Sequence, residues 1–137
     1  MAIQRVPRKS VSSYGIIRGR LVQDGECPGR LYQIEDMVEK PSPSKAPSNL
    51  AVIGRYILTP SIWTALSSTV PGAGGEIQLT DGLRRLLASE PVYGYVFEGK
   101  RYDAGDKLGF LQATVEIALR RDDLGKAFRH YLKSLDL

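Results

Sequence analysis

Segments rich in apolar residues in the first half of the chain predict three strands. Residues 14–21 and 31–38 are separated by 23–29, whose Asp-Gly and Pro-Gly pairs favour tight turns, so we expect a hairpin. The apolar and β-branched run 51–58 is short enough to favour a buried strand over a helix. Before it, the Pro- and Ser-rich stretch 41–48 predicts a loop.

In the second half of the chain, most apolar residues recur with a helical period. Thr59 followed by Pro60 predicts an N-cap and a first helical residue, ahead of the apolar residues Ile62, Trp63 and Leu66. A face with spacing i, i+4, i+7 and i+8 starts at Leu79 and predicts a helix that ends before Pro91. Residues 92–97 then predict a strand.

Two more helices are predicted near the end of the chain. The first should be capped by Asp106, and the second is the terminal helix. Their apolar faces are Leu108, Leu111, Val115, Ala118 and Leu119 in the first, and Leu124, Phe128, Tyr131 and Leu132 in the second. Strands mixed with single helices predict an α/β arrangement with a mixed sheet.

Composition narrows the class of protein without naming a function. The 137 residues are 42% hydrophobic and 25% charged, which is ordinary for a globular protein. No apolar run approaches the ~20 residues that span a bilayer, so we expect no membrane segment. The basic N-terminus lacks a following apolar stretch, which argues against a secretory signal and favours the cytoplasm.

The net charge of +4 is concentrated in the first 20 residues, which hold five basic residues and no acid. The remaining 14 basic and 15 acidic residues nearly balance, so we predict a solvated approach to the first strand rather than a nucleic-acid site. Cys27 is the single cysteine and excludes an intrachain disulfide. His130 is the single histidine and predicts a surface or core position rather than a metal or catalytic site.

Three runs, 38–41 (Val-Glu-Lys-Pro), 72–81 and 99–109, resemble the sugar-phosphate half of bacterial UTP:glucose-1-phosphate uridylyltransferases. The resemblance extends from about residue 13 to about residue 131. It implies the C-terminal part of a Rossmann-like, nucleotide-diphospho-sugar transferase α/β fold, with a mixed β-sheet and flanking helices. That family has a Gly-rich phosphate loop upstream, and none precedes Tyr14. We therefore expect 1–137 to be a single partial domain without the N-terminal nucleotide-binding half.

The resemblance implies roles for residues at the end of the second strand. Glu39 would accept hydrogen bonds from sugar hydroxyls, and Lys40, the catalytic candidate, would neutralise the sugar phosphate. Both roles suit the chemistry, since carboxylates bind polyols and an ammonium is a point charge for phosphate. Pro41 should hold Lys40 extended. Gly15, in the pair Tyr14-Gly15, would let the backbone approach the hexose.

The same resemblance implies that Asp103 helps to hold Mg²⁺, a hard cation that prefers oxygen ligands. Its partner aspartate would lie in the missing half. Asp106 is more simply a helix cap. Glu76 could bind ligand, cap backbone or meet a neighbouring subunit, and Lys107 could face phosphate or solvent, so both stay open.

The activity that the resemblance implies is UTP plus glucose 1-phosphate giving UDP-glucose and pyrophosphate, with Mg²⁺ as cofactor, in a homo-oligomer. We expect the isolated chain to be inactive. One alternative is a related hexose-1-phosphate thymidylyltransferase, although runs 72–81 and 99–109 favour uridylyl transfer. The other is a non-catalytic sugar-phosphate-binding or oligomerisation module.

Overall fold

The chain divides into two compact units, Met1–Phe97 and Glu98–Leu137, where the sequence predicts one partial domain. The computed structural model describes residues 1–23, 27–72 and 75–136. Three residues of the predicted hairpin turn and two of the glycine-rich run lie outside the described residues; they are Asp24, Gly25, Glu26, Ala73 and Gly74.

The first unit contains a five-stranded closed barrel. The strands are β1 (Ala2–Arg5), β2 (Gly15–Leu21), β3 (Leu31–Glu39), β4 (Leu50–Val52) and β5 (Tyr93–Val96). Around the barrel they follow the order β1, β4, β2, β3, β5. Neighbours are antiparallel except β5 and β1, which are parallel, so the predicted mixed sheet is confirmed. The closure of the barrel was not predicted from the sequence.

Strands β2 and β3 form the predicted antiparallel hairpin. Gly15 at the start of β2 lies opposite Glu39 at the end of β3, and the register shifts once, between Arg18 and Gly19. Because opposed residues in an antiparallel pair are close neighbours, the hairpin brings Gly15 and Glu39 together. This pairing positions the candidate site described below.

The basic N-terminal segment forms strand β1, which the sequence did not predict, while its basic side chains are exposed to solvent as predicted. Ile3 in β1 is fully buried. Arg5 donates a hydrogen bond to the Tyr32 hydroxyl at 2.6 Å, and Arg8 donates to the Ala46 carbonyl at 2.9 Å. These two exposed arginines therefore also connect the segment to β3 and to the loop before β4.

The barrel strands contribute to two apolar clusters because successive side chains point to opposite faces. Ile17 belongs to the larger cluster and its neighbour Ile16 to the smaller. The larger contains Ile3, Ile17, Tyr32, Ile34, Met37, Leu50, Val52, Ile62, Ala65, Leu83 and Leu86. The smaller contains Val6, Val11, Ile16, Ala46 and Ala51.

Two helices of the first unit, α1 (Ser61–Ser67) and α2 (Leu79–Leu86), pack on the larger cluster. The apolar spacing that predicted α2 is confirmed by Leu83, which is fully buried. The predicted cap at Thr59 was wrong, since its hydroxyl donates to Glu90 and α1 has no side-chain cap.

Two details of the apolar pattern also differ from the prediction. Trp63 is 71% exposed although its neighbour Ile62 is buried, so α1 has a narrower buried face than expected. The run 51–58 forms strand only as far as Val52, and Ile57 is exposed. Apolar content alone therefore overestimated the length of this strand.

The second unit contains the two predicted helices, α3 (Lys107–Arg120) and α4 (Gly125–Ser134). Asp106 caps α3 as predicted, accepting a hydrogen bond from the Gly109 amide at 2.7 Å. Leu108 and Leu111 are exposed, so the predicted apolar stripe of α3 is buried only in part. In the described ranges, every helix is too short or too polar to cross a membrane.

Candidate functional site

A carboxylate, a hydroxyl and a bare glycine backbone meet where β2 begins and β3 ends. The Thr80 hydroxyl in the first turn of α2 donates to Oε2 of Glu39 at 2.5 Å. A Cβ placed on Gly15 would lie 3.0 Å from that oxygen and 3.2 Å from the Thr80 hydroxyl. The absent side chain at Gly15 thus leaves the space in which this hydrogen bond forms.

Helix α2 is fixed against β3 by both apolar and charged contacts. Leu83 and Leu86 are buried in the larger cluster, and Arg84 Nε lies 2.7 Å from Asp36 Oδ1. Asp36 belongs to the strand that ends at Glu39, so both partners of the Thr80 bond sit on packed elements. The carboxylate is thereby held by regular secondary structure rather than by a loop.

Lys40 has a left-handed backbone, with φ of 43°. The prediction that Pro41 holds it extended was therefore wrong. Its amide donates to the Tyr14 carbonyl at 3.0 Å, which continues the hairpin pairing by one residue. A non-glycine residue with this φ costs about 1–2 kcal/mol, and backbone strain of this kind clusters at functional sites.

The Lys40 side chain is exposed. Within the described ranges its ammonium makes no hydrogen bond or ion pair, whereas Lys100 pairs with Glu116. An ammonium without an intramolecular partner is available to an anion. The end of β3 thus offers a polyol acceptor at Glu39 next to a cation at Lys40.

Tyr56 lies within electrostatic range of the same carboxylate. Burial raises the pKa of Tyr56, and the charge of Glu39 raises it further. Its ring also packs against the larger apolar cluster. The phenol therefore stays protonated and keeps its O–H donor.

Asp103 belongs to the second unit and is held by local contacts. Its Oδ1 accepts from the Gly105 amide at 3.1 Å, and its Oδ2 pairs with Arg101 at 3.0 Å. The carboxylate is 54% exposed. In the part of the chain that the structure describes, no three His, Cys, Asp or Glu residues are grouped for a metal ion.

The two residues whose roles the sequence left open are both exposed. Glu76 accepts a backbone bond from Gly72 through its carbonyl, and α2 has no side-chain cap, so the structure does not support Glu76 as its cap. Lys107 is the first residue of α3. Neither observation assigns a ligand to these side chains.

Of the residues singled out from the sequence, the structure brings Gly15, Glu39 and Lys40 together in the first unit. Sequence reasoning missed Thr80 and Tyr56. Thr80 lies inside the family-specific run 72–81, and that run was the available signal. Tyr56 was assigned to a strand by its apolar neighbours, and nothing in the pattern marks it as a site residue.

Residues 1–120 match the sequence profile of the family described as nucleotidyl transferase. The chain belongs to the nucleotidyl transferase family. A UTP--glucose-1-phosphate uridylyltransferase of Staphylococcus epidermidis is 42% identical over 137 residues, which cover 100% of this chain and 46% of that protein. One from Streptococcus pyogenes is 42% identical over 135 residues, covering 98% of this chain and 43% of that protein.

Solved structures agree with this family. A UDP-glucose pyrophosphorylase complexed with UDP-glucose aligns at a TM-score of 0.78 and 48% identity, over 88% of this chain and 44% of that chain. A UTP-bound UGPase from Acinetobacter baumannii aligns at a TM-score of 0.82 and 34% identity, over 99% of this chain and 45% of that chain. The resemblance and the nucleotide-sugar transferase α/β class are confirmed.

The chain spans less than half the length of these relatives. The matches do not confirm the narrower expectation that it is the C-terminal part of the fold.

Proposed function

We propose that this chain supplies the sugar-phosphate site of a UTP:glucose-1-phosphate uridylyltransferase. In that reaction a phosphate oxygen of glucose 1-phosphate attacks the α-phosphorus of UTP, and pyrophosphate leaves as UDP-glucose forms. The observation that supports it most is the Glu39 carboxylate next to the exposed Lys40 at the end of β3. Family membership and the uridylyltransferase relatives support the nucleotide.

The proposed work of these residues is positioning and charge neutralisation, because the attacking group belongs to the substrate. Lys40 would bind the sugar phosphate and offset negative charge as the new bond forms. Glu39 would accept from glucose hydroxyls and set the orientation of the ring. The backbone at Gly15 would form one wall of the hexose site. No nucleophilic side chain is required from this chain.

Asp103 is the proposed Mg²⁺ ligand. Its exposed carboxylate fits a cation that takes one or two carboxylates and fills its remaining positions with water and substrate phosphate. When bound, Mg²⁺ would supply charge neutralisation at the phosphates. Arg101 pairs with one carboxylate oxygen of Asp103, and the Gly105 amide donates to the other. Mg²⁺ bound at Asp103 should therefore shift the NMR signal of the Gly105 amide, and Asp103→Asn should reduce that shift.

A homo-oligomer and a single domain for residues 1–137 stay predictions of the resemblance, and a cytoplasmic location stays a prediction from the N-terminal sequence. The thymidylyltransferase alternative would use the same sugar-phosphate residues with a different base. We favour the uridylyltransferase over the thymidylyltransferase because runs 72–81 and 99–109 resemble those of uridylyltransferases. A non-catalytic module would bind the sugar phosphate and never turn it over.

Titration of the purified chain with glucose 1-phosphate, monitored by amide NMR, tests the sugar-phosphate site. We expect saturable shifts at Gly15 and Lys40 and their loss in Lys40→Ala, since a charge-assisted bond is worth roughly 1.5–3 kcal/mol. Lys9→Ala removes another exposed lysine and should leave binding unchanged. Binding that is equally weakened by both variants, or absent from the wild type, would overturn the proposal.

Turnover is a separate measurement. The isolated chain should release no pyrophosphate from UTP and glucose 1-phosphate, because one phosphate cation and one metal ligand cannot align the two substrates. Mg²⁺-dependent turnover by pure chain would refute this expectation of inactivity.

A further inference from the structure

Among the described residues the hydroxyl of Thr80, which is buried, donates to the Glu39 carboxylate, which is half-buried. Thr80 is 8% exposed, and its hydroxyl donates to Oε2 at 2.5 Å. A hydrogen bond to a charged acceptor is stronger than one between neutral groups. The protein therefore orients Oε2, and Oε1 accepts no hydrogen bond from the described residues, which leaves it open to a ligand.

This bond lies between the backbone of Gly15 and the first turn of α2. On one side Gly15 is so close that a Cβ there would lie 3.0 Å from Oε2 of Glu39 and 3.2 Å from the Thr80 hydroxyl. On the other, α2 is held on β3 by buried Leu83 and by the Arg84–Asp36 ion pair. Thr80 thus cannot move away from Glu39 without moving a packed helix.

We propose that Thr80 is a positioning residue, which turns the Glu39 carboxylate so that Oε1 accepts hydrogen bonds from the hydroxyls of a hexose 1-phosphate. The inference rests on the proposed sugar-phosphate site. It assigns to Thr80 no contact with substrate. The consequence is that Thr80 governs recognition of the sugar ring and leaves recognition of the phosphate to Lys40.

Two substitutions separate this role from a general contribution to folding. Thr80→Val keeps the shape and removes the hydroxyl, and Thr80→Ser keeps the hydroxyl. Dissociation constants for glucose 1-phosphate and for inorganic phosphate are measured by NMR-detected titration. We expect Thr80→Val to bind glucose 1-phosphate about tenfold or more weakly, with phosphate changed less than about twofold. Thr80→Ser should bind glucose 1-phosphate with a dissociation constant within about threefold of the wild-type value.

Equal weakening of both ligands by Thr80→Val would show a merely structural role and overturn the positioning. Unchanged binding of glucose 1-phosphate would overturn it too. Failure of the wild type to bind glucose 1-phosphate refutes the proposed function instead, and the sugar-directed part of this inference falls with it.

A measurement without ligand distinguishes failure of the positioning role of Thr80 from failure of the proposed function. Unfolding by urea is measured for Thr80→Val, Glu39→Ala and the double variant. If the hydrogen bond holds the carboxylate, the two substitutions are non-additive, with a coupling of about fivefold in the unfolding equilibrium constant. Additive effects would show that Thr80 and Glu39 do not interact in the folded state. The inference would then fail, whatever the ligand-binding measurements give.

Discussion

Replacement of Lys40 by glycine should raise stability while it removes phosphate binding. Lys40 has φ of 43°, in the left-handed region that a Cβ disfavours. Its side chain is exposed, and within the described residues it has no hydrogen-bond or ion-pair partner. Removal of the side chain should therefore cost little in the folded state, and removal of the Cβ should relieve strain.

The expected difference in stability between Lys40→Gly and Lys40→Ala follows from two opposing contributions. A left-handed non-glycine residue costs about 1–2 kcal/mol. Glycine returns about 0.5–1 kcal/mol of that, since it gives the unfolded chain more conformational freedom. Lys40→Gly should therefore be about 0.5–1 kcal/mol more stable than Lys40→Ala, which lacks the ammonium but keeps the strained Cβ.

Urea unfolding monitored by far-UV circular dichroism measures this difference, and the Ala variant is the matched control. Lys40→Asn should lie between the two, because asparagine tolerates the left-handed region better than most residues. Equal or lower stability of the Gly variant relative to the Ala variant would refute the strain argument.

Binding should move in the opposite direction. Both Lys40→Gly and Lys40→Ala should bind glucose 1-phosphate about tenfold or more weakly, because both lack the ammonium. Opposed changes in stability and binding at one residue are the expected signature of strain kept at a functional site. If the Gly variant binds as tightly as the wild type, the phosphate role of Lys40 is wrong.

Three further expectations concern other contacts. Gly15→Ala should lower stability by about 1 kcal/mol in urea unfolding, because its Cβ would lie 3.0 Å from the Glu39 carboxylate; unchanged stability would show that the carboxylate gives way freely. Gly109→Ala should lower it by about 1–3 kcal/mol, since its Cβ would lie 2.3 Å from the Asp103 carbonyl oxygen, and this outweighs the roughly 1 kcal/mol gain in helix propensity. A Gly109→Ala variant more stable than wild type would contradict that close contact. Lys100 and the Tyr102 hydroxyl hold the pKa of Glu116 below its ordinary 4.5, so this stabilisation is present above about pH 4.5 and is lost as pH falls through the lower folded-state pKa. Glu116→Gln should flatten that part of the stability–pH profile, and an unaltered profile would count against the contact.

The helices and the hairpin could be predicted because their signals are local. Apolar spacing identified α2, and the Asp106 cap identified the start of α3. Strand β1 could not be found this way, since it is short and pairs with β4 and β5, about 50 and 90 residues away. A parallel pair across that separation closes the barrel, and no periodicity within the chain encodes it.

The candidate site was predictable to the same extent. The run 38–41 pointed to Glu39 and Lys40, and the resemblance pointed to Gly15. The hydrogen bond from Thr80 joins residues 41 apart in sequence and depends on how α2 packs on β3. The left-handed backbone of Lys40 runs against the rule for residues before proline, so a local rule predicted the wrong conformation.

Gly15 shows how one residue type can be explained in two ways until the contacts are known. From the sequence, its missing side chain would let the backbone approach a hexose. In the structure, a Cβ there would first meet the Glu39 carboxylate and the Thr80 hydroxyl. The glycine therefore makes room for the Glu39 carboxylate, which we propose as the group that binds the sugar, and its effect on a hexose would pass through Glu39. On this account the selectivity of the site lies in the orientation of one carboxylate, and the affinity for phosphate lies one residue further along the chain, at Lys40.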